Sequence, residues 1–90
     1  MDDRKNEVAK KVIELAAEQG GVDPSTVALA THFVNDLHYD SLDAIEFTMS
    51  LEDEFEVSVP DEEAEKLDTV QKVVDYVLSH TTERAAHSVP

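Results

Sequence analysis

A single serine, Ser41, stands between two aspartates in the segment DLHYDSLDAIEF, residues 36–47. Its hydroxyl could act as a nucleophile, join a metal site with the neighbouring acids, accept a covalent group, or only help to start a helix. A catalytic serine needs a base held against its hydroxyl and a third group that orients the base. His38, Asp40 and Ser41 supply these residue types but lie within four residues, and nothing in so short a chain predicts an oxyanion hole or an enclosed pocket. The pattern therefore argues against serine catalysis.

A dedicated metal site is not predicted either. The acids lack the D-x-[DN]-x-[DN]-G spacing of a calcium-binding loop, and cysteine is absent, which excludes thiolate ligands and disulfides. The histidines are too scattered along the chain for a zinc site; they are His32, His38, His80 and His87. Two interpretations of Ser41 therefore remain open. It could simply start a helix, since serine favours helix N-termini, or it could be an accessible hydroxyl that another enzyme modifies.

The composition is typical of one small globular domain. The chain has 90 residues, of which 41% are hydrophobic and 31% are charged, so it can bury one modest core. No apolar run approaches the roughly 20 residues of a membrane span, and the N-terminal segment MDDRKNEVAKK lacks the apolar region of a signal peptide. We therefore expect a cytoplasmic protein without a membrane span.

The charge of the chain is strongly negative, with 21 acids against seven lysines and arginines, a formal net charge of −14. Phosphate groups would be repelled, which argues against nucleic acid and anionic membranes as partners. Enzymes with basic patches are favoured instead, because complementary fields raise encounter rates. The segment 36–68 alone contains thirteen acids and one basic residue, Lys66, and it includes Ser41.

The hydrophobic periodicity predicts an all-α fold, a small four-helix bundle with a long first loop and a short third helix. We expect helices at about 4–19, 41–56, 61–66 and from Asp68 or Thr69 onward, with Asp40 as N-cap of the second helix. Gln71 is placed for a capping-box contact at the start of the last helix. The first loop should be anchored by apolar residues, namely Val27, Leu29, Phe33, Val34 and Leu37. Residues 1–78 form the predicted domain, and residues 79–90 are expected to be a disordered tail.

The second helix carries apolar residues on two opposite faces, since each residue advances about 100° around a helix. Leu42, Ile45 and Met49 form one stripe, whereas Ala44, Phe47, Leu51 and Phe55 form the other. We expect the face of Phe47, Leu51 and Phe55 to point inward because it carries more bulk. An exposed apolar stripe bordered by acids is typical of a docking surface, although the long loop could instead cover it.

The residues around Ser41 resemble the acyl carrier proteins. The similarity begins with Asp36-Leu37 and Asp40-Ser41-Leu42-Asp43, followed by Glu46, Met49, Leu51 and Glu52-Asp53-Glu54-Phe55. It continues with Val59-Pro60-Asp61-Glu62-Glu63-Ala64-Glu65-Lys66, Thr69-Val70-Gln71 and Asp75-Tyr76-Val77. It covers about residues 8–78, nearly all of the predicted fold.

This resemblance implies a four-helix bundle that carries phosphopantetheine on Ser41, donated from coenzyme A by a phosphopantetheinyl transferase. The arm ends in a thiol that holds acyl groups as thioesters, so the chain would be a monomeric carrier with no catalysis of its own and no metal. Its partners would be acyl-transferring and chain-elongating enzymes with basic docking patches. The residues expected to contact them are Asp40, Leu42, Asp43, Ile45, Glu46, Met49, Glu52, Asp53 and Glu56. The residues expected to form the core and the acyl cavity are Phe33, Phe47, Leu51, Phe55 and Val59.

Two positions depart from the family pattern. His38-Tyr39 stands where Gly-Ala is common, and this bulk beside Ser41 could alter the choice of transferase or partner. Phe47 stands where leucine is common and could shorten the acyl chain that the bundle shelters. We predict a role in fatty-acid biosynthesis; a dedicated carrier for a polyketide, peptide or other specialised pathway is the alternative. An alternative of another class is an unmodified acidic adaptor that docks partner helices through Leu42, Ile45 and Met49.

Overall fold

A computed structural model describes the backbone of residues 3–87 and the side-chain surroundings of residues 4–80. Within that range the α-helices are α1 (Asp3–Gly20), α2 (Ser41–Phe55), α3 (Asp61–Ala64) and α4 (Val70–His87), with a 3₁₀ turn at Pro24–Thr26. The described backbone forms no β-strand, only an isolated bridge between His32 and Thr69. The predicted all-α bundle, with its long first loop and short third helix, is confirmed. No helix in the described range is long and apolar enough to cross a membrane.

The core lies around α1, which packs against both α2 and α4. Val12 and Ala16 of α1 are fully buried, as are Val70, Val74 and Val77 of α4. The small side chains on α1 allow its neighbours to approach closely, and the valines present one continuous apolar face. Helices of this length are stabilised mainly by burial of these apolar side chains in the core of the bundle.

The long loop between α1 and α2 is fastened mainly through its backbone. The carbonyls of Leu29 and Thr31 accept hydrogen bonds from Gln71 and Val70, and the N–H of Phe33 donates to Asp68. These contacts satisfy N–H groups in the first turn of α4 that have no partner inside the helix. Val27 and Phe33 are buried as predicted, and Leu37 is half-buried.

Two of the predicted loop anchors are wrong. The side chain of Leu29 is 37% exposed and that of Val34 is 57% exposed. Leu29 contributes its carbonyl rather than its side chain to the attachment. Without a repeating period, the apolar residues of a loop do not reveal which way each side chain points.

The third and fourth helices differ from the predicted boundaries at their ends. α3 stops at Ala64 rather than near Lys66, because Lys66 and Leu67 donate to carbonyls three residues earlier and tighten the chain into turns. At the start of α4, the Thr69 hydroxyl accepts from the N–H of Lys72 at 3.3 Å. Gln71 does not form the predicted capping box; its side chain donates to Asp75 instead.

The helix α4 continues to His87, past Leu78, where the sequence predicted the domain to end; the disordered tail over residues 79–90 stays a prediction. The sequence contains no glycine or proline between Leu78 and Pro90. Since α4 is already formed before Leu78, adding further residues to it requires no new nucleation. Tyr76 and His80 stack one turn apart, with ring centroids 4.0 Å apart, and support this extension. Residues 88–90, which belonged to the same prediction, lie outside the described residues.

Candidate functional site

The start of α2 is fixed by a reciprocal pair of hydrogen bonds. The Asp40 carboxylate accepts from the N–H of Asp43 at 2.8 Å, and the Asp43 carboxylate accepts from the N–H of Asp40 at 3.2 Å. This capping box satisfies N–H groups that the helix cannot pair. The N–H of Asp40 and the amide of Gln19 lower the pKa of the Asp43 carboxyl, which therefore stays negatively charged beside the positive end of the helix dipole.

Ser41 is the first residue of α2, and its side chain is exposed. Among the residues that the structure describes, none forms a hydrogen bond with its hydroxyl. Asp40 caps the helix as predicted, and Ser41 follows it as the first helical residue, so the Ser41 hydroxyl is not used to start the helix. The hydroxyl is accessible at the positive end of a helix, an environment that suits an attached phosphate.

The two bulky residues before Asp40 point in different directions. His38 is exposed and adopts a φ of 62°, a left-handed conformation that glycine adopts with less strain. Tyr39 is buried, and its hydroxyl donates to the carbonyl of Ala16 in α1 at 2.7 Å. Burial raises the pKa of the Tyr39 phenol above its ordinary value. Tyr39 therefore lies in the core rather than beside Ser41 on the surface, so only His38 adds exposed bulk near the serine.

Three aromatic rings meet behind the start of α2. The ring centroid of Phe33 lies 5.3 Å from that of Tyr39 and 4.9 Å from that of Phe47, and the Tyr39 and Phe47 centroids are 5.9 Å apart. These separations fall within the range of favourable aromatic pairs. The cluster joins the loop to α2, and through the Tyr39 hydroxyl it also joins α1.

A cleft of about 580 Å³ opens between α2 and the chain from Val59 to the start of α4. Ser41 lines it together with the aromatic cluster, and Leu51 and Val59 also contribute. Of the residues predicted for the core and acyl cavity, only Phe55 is absent from this lining. It is half-buried and packs against the hydrophobic core instead.

Residues on the far side of the cleft were missed from the sequence. Ala64, Leu67 and Asp68 line it from α3 and the segment that follows, and Val73 lines it from α4. The spacing of Ala64 and Leu67, three residues apart within an acidic stretch, is a signal that could have indicated an inward face there.

Leu42, Ile45 and Met49 are exposed on α2, at 61%, 56% and 61% of their accessible surface. The loop does not cover them. Phe47 and Leu51, on the opposite face, are 4% and 1% exposed. Ile45 and Met49 also form an edge of the cleft, so the exposed apolar stripe and the cleft are continuous.

Several acids predicted to meet partners also make contacts within the fold. Gln19 of α1 donates to Glu46 at 2.8 Å and to Asp43 at 3.2 Å. The Glu52 carboxylate accepts from the N–H of Val59 at 2.8 Å and so fixes the chain that leads to α3. Asp53 is exposed, and Glu56 is an exposed C-cap residue with a φ of 54°. Gln19 was missed because it reaches α2 from a distant part of the chain.

The catalytic and metal-binding alternatives find no matching geometry in the described residues. No hydrogen bond there joins the ring of His38 to Ser41, so a base–serine pair of the triad type is not formed. Over the same range, no three histidine, aspartate or glutamate side chains are grouped to hold a metal ion.

Comparison with known families agrees with this arrangement. The model of the family described as "Phosphopantetheine attachment site" matches residues 10–77, which include all of α2 and α3 and most of α1. The match confirms the predicted cofactor, and the residues present fit it: an exposed serine hydroxyl at a helix N-terminus stands beside an apolar cleft. The chain therefore belongs to the phosphopantetheine-attachment family and is a carrier protein of the acyl carrier type.

Proposed function

We propose that Ser41 is the residue that carries phosphopantetheine. The observation that supports this most strongly is the position of its hydroxyl, which is exposed at the first residue of α2 within the family match. In the attachment reaction, the Ser41 Oγ attacks the phosphorus of coenzyme A that bears the pantetheine group. A new P–O bond forms to Oγ, the bond to the nucleotide breaks, and adenosine 3′,5′-bisphosphate leaves. A base of the transferase accepts the serine proton.

The chain's own residues hold the site rather than perform chemistry. The capping box of Asp40 and Asp43 keeps the N–H groups of the first turn ordered, and the helix dipole favours the negative charge of the attached phosphate. When bound, the arm supplies a thiol that holds acyl groups as thioesters. The cleft beside Ser41 offers these groups a surface formed by Phe33, Phe47 and Leu51.

The docking surface of the proposed carrier is the exposed stripe of Leu42, Ile45 and Met49. It supplies an apolar patch next to Ser41, and the surrounding acids attract basic patches on partner enzymes. Asp53 and Glu56 are exposed along the same helix. Tethering keeps the cargo at high local concentration once a partner has docked. The partners are a phosphopantetheinyl transferase followed by acyl-transferring and chain-elongating enzymes.

We place this carrier in fatty-acid biosynthesis, as a cytoplasmic monomer. The apolar lining of the cleft supports an aliphatic cargo, and the resemblance to acyl carrier proteins over residues 8–78 supports the pathway. A specialised polyketide or peptide carrier would share the attachment serine but would carry a different cargo.

The test is the intact mass of the protein purified from its native host, followed by thiol release of its cargo. A carrier shows one added phosphopantetheine per chain, and a fatty-acid carrier releases saturated and 3-hydroxy acyl groups. A polyketide or peptide cargo overturns the pathway but not the carrier role. Protein without any added mass, from cells that contain an active transferase, identifies it as an unmodified adaptor.

A further inference from the structure

One wall of the cleft includes a buried residue that the family pattern does not explain. Tyr39 lies two positions before Ser41, where the residue is commonly small, yet it is 5% exposed and lines the cleft. Its ring packs against Phe33 and Phe47, while its hydroxyl reaches the Ala16 carbonyl of α1 at 2.7 Å. The side chain thus spans the space between the cleft and α1.

The Tyr39 ring is also in close contact with the end of α1. A Cβ atom added to Gly20, the last residue of α1, would lie 3.4 Å from Cε1 of Tyr39, at van der Waals contact, so the ring packs directly against the backbone at the end of α1. The hydrogen bond to Ala16 fixes the hydroxyl, and the rings of Phe33 and Phe47 pack against the Tyr39 ring in tilted and edge-on arrangements. A ring held by these contacts on the sides away from the cleft cannot move aside for a ligand at low cost, since protein interiors are close-packed.

We infer that Tyr39 closes the inner end of the cleft and sets the length of the acyl chain that the protein shelters, an inference that rests on the proposed attachment at Ser41. An alkyl chain entering beside Ser41 can bury methylene groups against Phe47 and Leu51 only until it meets the Tyr39 ring. Longer chains leave their ends in water. Tyr39 is therefore a specificity-determining residue for cargo length.

The expected effect follows from the burial of methylene groups. Each CH₂ transferred from water contributes about 0.8 kcal/mol, which corresponds to about a fourfold change in the equilibrium between sheltered and exposed cargo. A small nucleophile attacks only exposed thioester, so cleavage by hydroxylamine should slow by about fourfold per added methylene group. The slowing stops at the chain length that fills the cleft.

The experiment loads the parent and each variant with saturated acyl groups of increasing length, using a transferase and acyl-coenzyme A donors. Hydroxylamine cleavage rates and melting temperatures are then measured across the series. In Tyr39→Ala the volume left by the ring becomes part of the cleft. The cleavage rate and the melting temperature should therefore continue to change with acyl chains longer than the one at which the parent values become constant. Tyr39→Phe keeps the ring, so its cleavage rate and melting temperature should become constant at the same acyl-chain length as those of the parent. Tyr39→Leu retains more apolar volume than Tyr39→Ala, so it replaces Tyr39→Ala in the test if that variant does not fold.

Tyr76→Ala is the matched control for general loss of stability. Tyr76 also donates its hydroxyl to a backbone carbonyl, that of Ser58 at 2.6 Å, but it does not line the cleft. Tyr76→Ala should melt at a lower temperature, yet its cleavage rate should become constant at the same acyl-chain length as that of the parent. If the values for Tyr39→Ala and Tyr39→Leu also become constant at the parent's acyl-chain length, Tyr39 does not set cargo length. If no variant and no parent protein accepts the arm on Ser41, the attachment proposal itself fails and this inference with it.

Discussion

Alanine substitutions at Leu51 and Met49 compare the two faces of α2 directly. Leu51 is 1% exposed, so Leu51→Ala removes fully buried methyl and methylene groups. Buried Leu→Ala changes cost about 2–5 kcal/mol, and the upper values belong to closed cavities that cannot collapse. Leu51 lines the cleft, so part of the new space opens to solvent. We therefore expect a loss near the lower end, about 2–3 kcal/mol in the free energy of unfolding.

Met49→Ala should behave differently because 61% of Met49 is already exposed. Full burial of a methionine is worth about 1.5–3 kcal/mol. With about two fifths of the side chain buried, the loss is at most about 1 kcal/mol, and the higher helix propensity of alanine offsets part of it.

Urea unfolding and thermal melts followed by circular dichroism measure both values. For a domain of this size, each kcal/mol shifts the melting temperature by roughly 4–8 °C, so Leu51→Ala should melt roughly 8–24 °C lower. Met49→Ala should shift by no more than roughly 8 °C but should slow acyl transfer from a partner enzyme. Leu51→Met, a swap of similar volume, is the control that keeps the core filled. Equal destabilisation by Leu51→Ala and Met49→Ala would refute the assignment of the two faces.

Four further perturbations test other parts of the fold. His38→Gly should raise the free energy of unfolding by about 0.5–1 kcal/mol in urea titrations, because relief of left-handed strain exceeds the added chain entropy; a loss would mean that the His38 ring contributes contacts. Asp40→Ala should lower it by about 0.5–2 kcal/mol through loss of the cap, and an unchanged value would contradict the capping box. Millimolar Mg²⁺ should slow amide exchange across residues 61–66, where acids crowd one another; unchanged exchange would show that packing sets the stability there. The Lys72 ammonium holds the pKa of the Asp68 carboxyl below its ordinary value of 3.8, so the stability from this pair is complete above that value and is lost as the pH falls through the lower folded pKa. In acid unfolding, Lys72→Met should lack the part of the stability loss that comes from the Asp68–Lys72 pair. Identical unfolding curves for the parent and Lys72→Met would contradict this contribution.

The parts of the site that the sequence predicted are those that follow a helical period. The spacing of Phe47 and Leu51 against Ile45 and Met49 fixed which face is buried, and a run of 15 residues makes that pattern unambiguous. Asp40 was also predictable as the N-cap, because aspartate is favoured at that position, whereas the return hydrogen bond from the N–H of Asp40 to Asp43 was not predicted.

The remaining contacts depend on residues that are distant in the chain. Tyr39 points inward because the hydrogen-bonding carbonyl of Ala16 and the space above Gly20 are provided by α1, and neither has a local sequence signal. The same holds for the bond between Glu52 and the N–H of Val59. The family resemblance assigns Glu52 to docking, and its carboxylate serves the fold as well.

The most direct test of the central claim is mass spectrometry of the parent protein and Ser41→Ala after incubation with a phosphopantetheinyl transferase and coenzyme A. The Ser41 hydroxyl makes no hydrogen bond within the described residues, so the variant should fold like the parent, at a cost of no more than about 1 kcal/mol. We predict that the parent gains one phosphopantetheine, mapped by peptide fragmentation to Ser41, and that Ser41→Ala gains none. Modification of Ser41→Ala at another serine, or a parent arm that maps elsewhere, would contradict the account.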